Sequence, residues 1–96
     1  MNLQDFKILC EQKDVPKSLN PVVLALWYDS RDDWDMAHSI VQNIPGSEAS
    51  WVHAYLHRKE GDETNASYWY SRAGKTKPRI AFKEEWEIIC RSLLGK

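Results

Sequence analysis

Apolar residues recur along this chain at helical spacing. Between Trp51 and Pro78 the pattern is clearest: Trp51, Ala54, Tyr55 and Arg58 share one side of a first helix. Ala66, Trp69, Tyr70 and Ala73 then trace an i, i+3, i+4, i+7 face on a second. Gly61 stands where a left-handed residue ends a helix without a Cβ clash, and Asp62 can accept the free amides that open the next one. Gly74 and Pro78 close the second helix. The stretch predicts an antiparallel helix pair.

The same grammar extends in both directions. Residues 2 to 13 read as an amphipathic helix, with Leu3, Phe6, Leu9 and Cys10 on one side and Asp5, Lys7, Glu11 and Lys13 on the other. Pro16 ends it. Asn20 before Pro21 is a start signal, a side-chain cap followed by a residue that has no amide to satisfy. The next helix carries Val22, Val23, Ala25, Leu26, Trp27 and Tyr28, apolar all round and so expected to be central. Asp32 and Asp33 open another, whose Trp34, Ala37, Ile40, Val41 and Ile44 supply a buried face. Pro45-Gly46-Ser47 is a turn with Ser47 as the expected cap. A final helix over about 81–94 places Phe82, Trp86, Ile89 and Leu93 on one face and stops at Gly95. No segment alternates with period two. The fold class is all-α, about six helices in one domain over residues 1–96.

Composition narrows the classes of function. With 43% hydrophobic and 28% charged residues, the 96-residue chain is expected to be a soluble globular domain. A net charge of −1 supplies no pull toward nucleic acid or an anionic membrane, so neither is an expected partner. The longest apolar run, Val22 to Tyr28, is too short to span a bilayer, and the first residues show no secretory pattern. Cys10 and Cys90 fall in no metal or redox spacing and read as buried thiols of a cytoplasmic protein. No cofactor is expected.

Offsetting the chain by twenty-nine residues pairs Ser18 with Ser47, Val23 with Val52, Ala25 with Ala54, Asp33 with Asp62 and Ala37 with Ala66. Two stacked helix–turn–helix units over about 18–78, with terminal helices over about 2–13 and 81–94 capping the open ends, are what a short α-solenoid needs. The run Gly61-Asp62 … Ala66 … Tyr70 … Ala73 … Pro78 resembles the second helix of a tetratricopeptide repeat. Ala54 and His57 fall at that family's small and tyrosine positions, while Trp51 stands one residue off its tryptophan position and His53 replaces a leucine. The string HAYLHRKEGD-x-x-NA-x-YWY-x-RAG also resembles a segment of small bacterial proteins with no assigned activity.

The repeat resemblance implies an interaction scaffold whose first helices line a concave face. That face would present Glu48, Trp51, Tyr55, Arg58 and Lys59, with Asp29 from the first copy. An aromatic and arginine surface rimmed by lysine suits a protein or peptide partner, or a second copy of the chain as a homodimer. The alternative is that a terminal helix covers it.

A second function class rests on histidine. His53 and His57 are i, i+4 on one helix, so both imidazoles project to one side, where they can chelate a metal with Glu60 as third ligand. His38 is a further histidine that the fold could bring near. Ala54 stands where a zinc protease would carry glutamate. The cluster Asp29, Asp32, Asp33 and Asp35 lacks the glycine and oxygen spacing of a calcium loop and reads as helix capping. The two expectations are therefore an interaction module, and a small metal-assisted enzyme using His53, His57 and Glu60.

Overall fold

The computed structural model describes residues 1–95, and among these there are six helices and no strand. They are α1 (Leu3–Cys10), α2 (Pro21–Ser30), α3 (Trp34–Val41), α4 (Ser47–Glu60), α5 (Glu63–Ala73) and α6 (Phe82–Leu94). None is long and apolar enough to cross a membrane.

Most boundaries are set by side-chain caps. Asn20 accepts from the Val22 amide at 2.9 Å, Asp33 from Met36 at 3.2 Å and Asp62 from Asn65 at 3.1 Å, each satisfying an otherwise orphaned donor. Gly61 and Gly74 take up left-handed conformations at φ 87° and 69°, and their amides return to the last turns of α4 and α5. Two boundaries differ from expectation. Ser47 is the first residue of α4 rather than its cap; Gly46 holds the cap position and its carbonyl accepts the Ser50 amide. The first helix stops at Cys10 instead of running to Lys13, and side chains from α2 and its C-terminal cap take carbonyls at and just beyond that end. Trp27 Nε1 donates to the Leu9 carbonyl at 2.7 Å, and Arg31 to those of Cys10 and Gln12 at 2.8 and 2.7 Å.

The helix enclosed on every side is α4, where nine consecutive residues from Ala49 to His57 are buried. Its sequence is less apolar than that of α2, and it tolerates burial because its polar side chains find partners in neighbouring helices. It packs most closely on α5, and α2 packs most closely on α3.

The terminal helices do not cap opposite ends. Both lie on the same side of the molecule, α6 against α2 and α4, and α1 against α2 and α6. Trp86 of α6 is the wedge: its Nε1 donates to the Leu26 carbonyl at 3.1 Å and Phe6 of α1 stacks on its ring. Phe82, expected on the buried face, is exposed at the start of α6 and lies under the guanidinium of Arg58.

Candidate metal centre

Three imidazoles meet where α3 crosses α4. His53 and His57 project from the same side of α4, as their spacing requires, and α3 brings His38 against both. The crossing is held by Trp34, which donates Nε1 to the Leu56 carbonyl at 2.8 Å and stacks on His38 with ring centres 4.8 Å apart. Trp69 of α5 closes the other side, stacked on His53 at 4.0 Å. Two indoles thus fix two of the three rings.

The nitrogens converge. Nε2 of His38 and Nε2 of His53 are 3.1 Å apart, and one ligating nitrogen from each of the three rings lies within 4.8 Å of the others. Zinc–nitrogen bonds of about 2.0–2.1 Å place tetrahedral ligands roughly 3.3 Å apart, so the His38–His53 edge already has close to that length. Glu60 groups with His57 and Asp62 rather than with the three histidines. Its carboxylate lies 2.6 Å from Nδ1 of His57, which leaves Nε2 as the nitrogen with a lone pair to offer. Asp62 approaches the same histidine but caps α5, accepting from the Asn65 amide and side chain; those bonds hold its carboxyl below the ordinary value.

Burial lowers the proton affinity of two of the three rings. His53 is pushed down to about 4, first by desolvation and then by its neighbours His38 and His57. His38 is also lowered, by burial and by His57, against the opposing pull of Glu60 and Asp35. Neutral imidazoles are the form that ligates a metal.

Of the residues expected to line an open groove, Trp51 and Arg58 lie against Glu85 of α6. Trp51 and Tyr55 are buried, and Glu48 is half-buried in the first turn of α4. Arg58 donates to Glu85 of α6 at 2.9 Å and to the Ile80 carbonyl. Glu85, which the sequence reading passed over, is buried and also accepts from Tyr70 at 2.7 Å and Trp51 at 3.4 Å. Asp29 is likewise buried, accepting from Tyr55 and from Lys59, each at 2.9 Å. What remains of the groove is a pocket of about 290 Å³ between Lys59, Phe82 and Trp86. Asp32 and Asp35 are exposed near the α3 start and Asp33 caps it. No family model, curated protein or solved structure matches the chain.

Proposed function

We propose that this protein binds a divalent transition-metal ion through His38, His53 and His57, with Glu60 orienting His57 from behind. The observation that carries the reading is the meeting of three imidazole nitrogens from two helices at near-ligand separations. An all-imidazole set favours zinc, copper, nickel or cobalt over calcium or magnesium, which prefer oxygen. The Glu60–His57 contact is the carboxylate–histidine pairing that raises ligand basicity and fixes the tautomer.

The same site gives the repeat-like architecture a purpose. Taking α2–α3 and α4–α5 as two stacked hairpins of tetratricopeptide-repeat type, the ion links the second helix of one to the first helix of the next. A partner-binding role for the Trp51–Tyr55–Arg58 face has less support, because α6 occupies it.

The test is a zinc titration of untagged, chelator-stripped protein by calorimetry, with elemental analysis of the dialysed product. We expect one ion per chain, lost in His38→Ala, His53→Ala and His57→Ala, weakened about 10- to 100-fold in Glu60→Gln, and retained in Cys90→Ser. Failure of the folded protein to hold zinc, cobalt, nickel or copper stoichiometrically would overturn the reading.

A further inference from the structure

We propose that the fourth position on this ion holds a water, and that this water hydrolyses carboxylic esters whose acyl group is uncharged or cationic. The inference rests on the metal reading and extends it to a reaction and a substrate class.

Three protein ligands with an open fourth position distinguish reactive zinc sites from closed structural ones. Among the described residues, the carboxylates near the cluster have other work. Glu60 is on His57, and Asp62 is on Asn65. Asp35 is exposed on the first turn of α3, near enough to His38 to act on its charge. The cluster also lies near the surface: His53 and His57 are buried, but His38 and Trp69 are half-buried and Glu60 is exposed. The cluster is least covered on the His38–Glu60 side, and the Trp34 and Trp69 rings stack on His38 and His53.

Charge selects among esters. The carboxylates that bear on His38 are Glu60 and Asp35, and Asp62 interacts with His57. The cations of α4 are turned away, Arg58 to Glu85 and Lys59 to Asp29, and Arg72 of α5 lies over the Tyr68 and Trp69 rings. A phosphate ester or anionic acyl group would meet carboxylate repulsion at the rim. A neutral acyl group does not.

The step balances with water alone. The bound water gives one proton to solvent and its oxygen bonds to the acyl carbon. The carbon–alkoxy bond then breaks, and the departing oxygen takes up a proton. One ester and one water yield one carboxylate, one alcohol and one released proton.

The experiment compares two esters with the same leaving group, 4-nitrophenyl acetate and mono-4-nitrophenyl succinate. The enzyme is protein shown by calorimetry in the same buffer to hold one zinc. We expect acetate hydrolysis above that of zinc-free protein, abolished in His38→Ala. Relative to its buffer rate, the anionic succinate should be slower by about 10-fold, and Asp35→Asn should narrow that gap. In the cobalt-substituted protein, neutral imidazole should shift the visible bands while inorganic phosphate at equal concentration does not. Full zinc occupancy without faster acetate hydrolysis overturns the inference and leaves the metal site standing. So does turnover of succinate as fast as acetate. Failure to bind zinc in the first titration overturns both.

Discussion

His53 shows at the residue scale how a packed histidine differs from a solvated one. Its ring is pressed between Trp69 and two other imidazoles, and burial brings its pKa from 6.5 to about 4. The unfolded chain therefore takes up this proton before the folded protein does. In metal-free protein the contribution is fully present above about 6.5, declines as pH falls toward 4, and is lost below. Urea midpoints measured across this window should fall with acidification, and His53→Gln should flatten part of the fall. An equal slope in wild type and variant would show that the proton goes elsewhere. That His53 and His57 share a side of α4 was legible from their spacing alone. His38 was not assignable as third ligand, since its approach depends on the α3–α4 crossing that Trp34 sets through the Leu56 carbonyl.

Glu85 shows at the element scale where reading by pattern stops. The caps at Asn20, Asp33, Asp62, Gly61 and Gly74 are local signals, and each marks its helix end. Burial of α4 alongside α2 at the centre is not local. It follows from partners on other helices, chiefly Glu85, which takes hydrogen bonds from Arg58, Tyr70 and Trp51 at once. In the sequence pattern Glu85 is one more polar residue beside Trp86. Its signal lay on α4 and α5, where an arginine and a tyrosine on apolar faces needed an acceptor. Glu85→Ala leaves Arg58 without its carboxylate partner and should cost about 3–5 kcal/mol in chemical denaturation. A loss under about 1 kcal/mol would mean that Arg58 finds water instead. Gly61→Ala, forced to keep φ 87°, should cost about 1 kcal/mol with no change in zinc affinity.

Across the whole molecule, the two sides of α4 do different things. One side is closed by α6 through Glu85 and by α2 through Asp29, and the other carries the imidazoles against α3. Zinc should therefore act unevenly. At a hundredfold over Kd, binding adds about 2.7 kcal/mol, which raises Tm by on the order of 10 °C in a domain of this size. Global stabilisation of that kind slows exchange only in amides that open by complete unfolding. The eight-residue α3 is fastened to α4 mainly by Trp34 and His38, and it should open locally when metal is absent. Native-state hydrogen exchange should then show zinc protecting residues 34–41 under conditions where α6 barely changes. His38→Ala should erase the effect in α3 while leaving exchange in α6 as it was. Equal protection in α3 and α6 would mean that the ion reports only the folded state and does not fasten one hairpin to the next.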